Sequence, residues 1–412
     1  VFIHIEPHKT GTTAIQASLA ASRDALAGSG YQYLSGDPNH SMLLATVFWD
    51  EGSAYKLGYP GWIDDPNEFL RHRQKLYSLL IEEVDRSTCD ALILSGEELS
   101  RFNEAEAERL VEFLRARYDA VKVIAYVREP LSWSVSSSQQ RTKWSGKTLE
   151  QIFDSLVLPN YARRFNPYIR LVGESDFDLR IYSGKSSEFD VIVDFARAVG
   201  IDPGLLNSPN ENDLNIALTH PSAVMLSAIN EYSPPYVQNR HNPCRAFRVV
   251  KDARLPGRAF TLPRETVVSA LDDLERERAW TKAYFGREIF PDIVVPEQSR
   301  SNWFDKDRAA LEDHGRLLNE AFRASQNEVA LKHLWKAQES RKIDPTACQS
   351  QLSRALLLST DRWTMHHVAT MMLETEHPER RKALAKQKLM RQIEAPEPAD
   401  PPLIVENPFN RF

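Results

Sequence analysis

Four short apolar runs, each followed by a longer amphipathic stretch, constrain this chain more than any other feature. Residues 2–6, 91–95, 121–127 and 177–182 read as strands, and residues 11–27, 104–118, 131–144 and 188–199 as the helices that follow them. Strands apolar on both faces need helices above and below, so the pattern predicts an α/β core of three layers around a central, mostly parallel sheet.

Residues 1–205 are expected to form this core. Residues 36–66 interrupt it with Gly, Asp, Pro and the rings of Trp49, Tyr55, Tyr59 and Trp62, which reads as a folded surface insertion and a candidate acceptor-binding loop. The plainer reading is that the rings pack an irregular loop onto the sheet. Residues 206–345 look like a helical region completing the core and the acceptor cleft, with helices expected at 264–285 and 305–324. Residues 346–412 read as a helical extension, with a helix at 351–373, and a tail whose five prolines between Pro396 and Pro408 forbid a helix or a central strand. Residues 380–391 hold six basic side chains and no acidic one, the signature of a solvated helix face.

Fifty-one Lys and Arg against 57 Asp and Glu give a net charge of −6, so no global positive field draws in nucleic acid or an anionic membrane. Any anion site must be local. The longest apolar runs, such as 121–127, are far short of the roughly 20 residues a membrane span needs. Residues 1–5 look like a core strand, not an export signal. Cys89, Cys244 and Cys348 lie far apart, which argues against a disulfide framework and for a reducing, cytoplasmic compartment. His366, His367 and His377 lack the carboxylate or cysteine spacing of a metal site, so no metal is expected. Neither a G-x-S-x-G serine nor a paired acidic set for glycoside hydrolysis is present.

The strongest local signal is Pro7-His8-Lys9-Thr10-Gly11-Thr12-Thr13, between a strand and a helix. Gly11 frees the backbone, the helix start offers unpaired N–H groups and a favourable dipole, and Lys9 adds a full positive charge. Such a segment suits a phosphate. It is not the usual nucleoside-triphosphate loop, because there the lysine follows the second glycine, whereas Lys9 stands two residues before Gly11. A second strand ends in Arg128-Glu129-Pro130, where open α/β sheets collect ligands, and Ser136 follows two helical turns later.

These two segments resemble the cofactor-binding elements of sulfotransferases that use 3′-phosphoadenosine 5′-phosphosulfate (PAPS), and most of all the bacterial sulfotransferase-like branch. In that family a strand-loop-helix close to Pro-x-Lys-[Ser/Thr]-Gly-Thr-Thr holds the 5′-phosphosulfate, and an Arg followed eight positions later by Ser holds the 3′-phosphate. The resemblance covers the first two hundred residues and implies a P-loop-type core, with Lys9, Thr10, Gly11, Thr12, Thr13, Arg128 and Ser136 on the cofactor. It implies in-line transfer of a sulfuryl group to a hydroxyl or amine of a carbohydrate, glycolipid or small metabolite, leaving PAP, with no metal required.

The base in this family is a His or Glu near the end of a strand preceding the Arg-bearing one. Here that points to Glu97, then Glu98, with His8 a competitor; His4 reads as a buried strand residue. Tyr182 stands where the family places an adenine contact. The family's Arg-Lys-Gly-x-x-Gly lid is absent, and Arg258 is the candidate substitute. Gln140, Lys143 and Trp62 are the candidate acceptor contacts. The alternatives are an ATP-dependent kinase using the same loop and a non-catalytic nucleotide-binding module.

Overall fold

Five strands pair side by side in one sheet, and every pairing is parallel. In the computed structural model they are β1 (Phe2–Ile5), β2 (Tyr31–Tyr33), β3 (Ala91–Ser95), β4 (Lys122–Val127) and β5 (Phe177–Ile181), in the order β2-β3-β1-β4-β5. The residues described are 1–50, 66–184, 189–207, 217–232, 236–237, 240–241, 255–303 and 351. The chain divides into two units, Val1–His241 with Val250–Gly315, and Asn242–Val249 with Arg316–Phe412; of the second only Gln351 is described.

Alternation along the strands sorts the core into two layers. Ile3, Ile5, Leu92, Leu94, Val123, Ala125 and Val127 face one side, beneath α3 (Ser41–Phe48), α4 (Pro66–Asp85), α5 (Glu104–Arg115) and later helices. Ile93, Ile124 and Tyr126 face the other, against α1 (Thr12–Ala21) and α2 (Arg23–Gly28). The expected three-layer α/β core is thus present, and its sheet is wholly parallel. β1 lies between β3 and β4, and the chain leaves β1 toward one edge and β4 toward the other. The carboxyl ends of β1 and β4 are therefore the switch point at which such sheets open a crevice.

Three local expectations change. The helix foreseen at 11–27 breaks at buried Ser22, which leaves helical angles while its hydroxyl accepts the Asn207 N–H at 2.8 Å. The stretch 36–66 is not a surface loop throughout: α3 lies within it and buries Leu44, Ala45, Val47 and Phe48, and Trp49 is buried beside Phe102. Tyr55, Tyr59 and Trp62 lie outside the described residues. The helix expected at 264–285 is two, α11 (Arg264–Ser269) and α12 (Leu271–Phe285), broken at Ala270.

The remaining elements are α6 (Pro130–Trp144), α7 (Leu149–Asp154), α8 (Tyr161–Val172), α9 (Val191–Val199), α10 (His220–Tyr232), α13 (Arg300–Trp303) and a separate antiparallel pair, Tyr236–Val237 with Arg240–His241. Among the described residues no helix is long and apolar enough to cross a membrane, and no group of three or more His, Cys, Asp or Glu side chains is placed to hold a metal ion. The expected helices 305–324 and 351–373, the basic stretch 380–391, the proline-rich tail, Cys244, Cys348 and the three late histidines lie outside the described residues, Gln351 excepted.

Candidate functional site

The loop between β1 and α1 is bent by two left-handed residues, Lys9 at φ 82° and Gly11 at φ 98°. A lysine in that region is strained, and such strain persists where the surroundings enforce it. Here Trp133 of α6 donates its indole N–H to the His8 carbonyl at 2.5 Å, and Arg128 donates to the Lys9 carbonyl at 3.1 Å. Gly11 has no substitute, because a Cβ there would lie 3.0 Å from both Val191 methyls and 3.1 Å from the Tyr182 ring. The result is a run of backbone N–H groups, from His8 through Thr13, with no acceptor among the described residues. Together with the start of α1 they give the loop the donors and positive potential that an oxyanion would complement.

Side chains complete it unevenly. The Lys9 ammonium makes no hydrogen bond or ion pair among the described residues; burial holds its pKa below the ordinary lysine value, Glu97 opposing and Arg128 adding to that effect. The Thr10 hydroxyl is turned inward onto the Glu6 carboxylate and the Pro7 carbonyl, so Thr10 offers an oxyanion only its N–H. Thr12 is buried beside Glu6 and Glu97, and Thr13 is exposed. Beneath the loop, fully buried Glu6 lies 2.8 Å from His4, whose other ring nitrogen is 2.8 Å from the Ser95 hydroxyl. Burial raises the Glu6 pKa against the pull of His4. His4 is thus the interior histidine its strand position suggests.

Arg128 follows β4 directly and reaches across to the loop. Besides the Lys9 carbonyl it grips the Ser132 hydroxyl through Nε at 3.0 Å and Nη2 at 2.8 Å, and its guanidinium lies 5.8 Å from the Tyr182 ring centroid. Tyr161 of α8 locks its backbone, taking the Arg128 N–H at 3.0 Å and donating to its carbonyl. Glu129 caps α6 by accepting the N–H groups of Leu131 and Ser132, so that helix start is already occupied. Ser136, one turn beyond Ser132, is half-buried, and its side chain has no partner among the described residues. Tyr182 therefore joins Gly11 and Arg128 in one place, with Phe189 edge-on to it at 5.8 Å.

Glu97 and Glu98 open the turn after β3 and clasp His8. Its Nδ1 lies 2.7 Å from Glu97 and its Nε2 3.4 Å from Glu98, which also pairs with Arg101 at 2.8 Å. Burial alone would lower the imidazole, but the two carboxylates outweigh it and raise His8 to about 9; both glutamates, although burial pushes them up, are held below the ordinary carboxylate value by His8. At neutral pH His8 is an imidazolium between two carboxylates. Gly96 is needed here for closeness and not for its angles: φ is −159°, and a Cβ would lie 3.1 Å from the Ser41 backbone.

Not every expected residue gathers here. Arg258 hydrogen-bonds Gln298, His220 and the Trp303 carbonyl. Gln140 and Lys143 lie half-buried along α6. The sequence reading missed Trp133, Tyr161 and the pairing of Arg128 with Ser132; the last was within reach, since Ser132 stands only four residues on, in the first turn of the helix that Pro130 opens. The chain matches no family model, no curated protein and no solved structure.

Proposed function

We propose that this chain binds PAPS and transfers its sulfuryl group to a hydroxyl or amine acceptor. The observation that carries the reading is the bond from Arg128 to the Lys9 carbonyl, which makes the loop after β1 and the arginine after β4 walls of one site. A nucleotide with phosphate groups at two ends of one adenosine calls for two such elements, whereas a triphosphate calls for donors clustered in one longer loop. The free N–H run and the space kept by Gly11 suit the 5′-phosphate, and the fork of Arg128, with Ser132 bonded to it and Ser136 one turn further along α6, suits the 3′-phosphate. Tyr182 supplies a face for the adenine.

When bound, PAPS supplies an activated sulfuryl group on a phosphate leaving group. The chain's part is to align and to balance charge. Lys9 neutralises the charge growing on the leaving oxygen. Glu97, kept ionised by His8, takes the acceptor proton. His8, already protonated and clasped on both nitrogens, orients Glu97. Glu98 shares that clasp, and Gln140, Lys143 and Trp62 remain the proposed acceptor contacts.

Thermal unfolding with ligands tests the reading. PAP without metal should raise the midpoint, and a mass-spectrometric screen with PAPS should find an acceptor that gains a sulfonate. Protection by ATP with Mg²⁺ alone would favour phosphoryl transfer instead. Glu97→Gln should lower turnover and leave PAP affinity intact; a wild-type chain that binds PAP yet sulfonates no acceptor, with Glu97→Gln indistinguishable from it, is a binding module.

A further inference from the structure

The strand order separates two sides of the candidate site. Arg128 and Tyr182 follow β4 and β5, on one side of β1, and the turn Glu97–Arg101 follows β3, on the other. The donor's phosphates are assigned to Lys9 and the first side, yet two further arginines, Arg101 and Arg164, meet at the turn on the second, and Arg163 lies close enough to Arg164 to act on its guanidinium. Arg101 pairs with Glu98 and lies 5.9 Å from the Trp49 ring centroid. Arg164, in the first turn of α8, reaches the same turn, donating to the Ser100 hydroxyl at 2.8 Å and to the Pro159 carbonyl at 2.6 Å. Arg163 is exposed beside it, with no hydrogen bond or ion pair among the described residues.

The carboxylates nearby are already committed. Glu97 and Glu98 hold His8, Glu98 also holds Arg101, and Glu277 accepts the Tyr161 N–H at the start of α8. The first turn of α8 contains no acidic residue, so its two arginines sit at the positive end of a helix. Arg164 carries the cost: burial, then Arg101, lower its guanidinium to about 10 against the help of Glu98. Its Nη2, and the Nε and Nη2 of Arg101, form no hydrogen bond among the described residues, leaving donors of the geometry that grips an oxyanion.

We propose that the acceptor carries an oxyanion of its own, a carboxylate, phosphate or sulfate group, and that Arg101, Arg163 and Arg164 hold it on the β3 side of Glu97. This rests on the sulfuryl-transfer reading for its chemistry, but the oxyanion site can be tested without it. The test uses the full chain and the double variant Arg101→Ala/Arg163→Ala, which leaves half-buried Arg164 in place.

With PAPS, paired acceptors are compared: methyl glucuronide against methyl glucoside, and glucose 6-phosphate against glucose, so that the preferred member also tells carboxylate from phosphate. The charged member should be preferred, and the double variant should raise its KM by about tenfold or more while changing the neutral member's by less than about twofold. Equal use of charged and neutral acceptors, or equal KM in both proteins, overturns the proposal. In parallel, inorganic sulfate should further stabilise the PAP-saturated wild-type protein and not the double variant.

Should PAP give no protection and no acceptor react, the donor reading fails, and sulfate titration of the Lys9→Ala protein decides the arginine site alone. Protection that disappears when Arg101→Ala/Arg163→Ala is added keeps the oxyanion site. Protection that persists, or none at all, overturns it.

Discussion

The clasp on His8 should be visible as a displaced titration. An imidazole near 6.5 in the unfolded chain and at about 9 in the folded one binds its proton more tightly when folded. The pair therefore stabilises the fold fully below pH 6.5, and the contribution is lost as pH rises through 9. Such a displacement corresponds to ~3 kcal/mol in a pair shielded from water. The His8 side chain is 35% exposed. Solvent screening then reduces the contribution to ~1–2 kcal/mol.

The assay is NMR of the imidazole resonances against pH, with His8 assigned by difference from His8→Gln, alongside denaturant unfolding at pH 6.5 and 10. Glu97→Gln removes the carboxylate at 2.7 Å and leaves only Glu98 at 3.4 Å, so the titration should move back toward 6.5. His8→Gln should abolish the alkaline loss of stability. A wild-type His8 that titrates at or below 6.5, or an alkaline loss unchanged in His8→Gln, would refute the reasoning.

Three further outcomes follow from the same geometry. Gly11→Ala forces a Cβ against Val191 at a φ of 98°, and should cost ~1–3 kcal/mol in denaturant unfolding; an unchanged midpoint would show that the loop relaxes freely. Trp133→Phe removes the donor to the His8 carbonyl while keeping the ring, and should cost ~1 kcal/mol by the same measurement. Arg128→Lys keeps the charge but cannot bridge Ser132 and the Lys9 carbonyl at once, so PAP affinity by calorimetry should fall about tenfold; full affinity would mean that the fork is immaterial.

Three of the strands that frame the site were legible because strands covered on both faces are almost continuously apolar, as in Val121 to Val127, and edge strand β5 by its alternation, with Phe177 and Leu179 buried and Asp178 exposed. β2 was not: its three residues include Gln32, and of them only Tyr33 is buried. α3 hid inside a stretch whose Gly, Asp and Pro suggested a loop. Within the site, Lys9, Gly11, Arg128 and Glu97 could be picked out because charge and backbone freedom are properties of single residues. The contacts that shape it, Trp133 on the His8 carbonyl and Tyr161 on the Arg128 backbone, join residues over a hundred and over thirty positions apart, and no local pattern encodes them. Gly96 shows the same limit, since the need for it comes from Ser41, on another element.

The central place of β1 also bears on how the molecule is made. As the chain emerges from the ribosome, β1 precedes both of its neighbours, and its two edges stay unsatisfied until β3 and then β4 have been synthesised. The Lys9 loop acquires its Arg128 and Trp133 restraints only after that. The nascent form is therefore one with an uncovered central strand and an unrestrained Lys9 loop, and the closing of the sheet by β4 ends both conditions together.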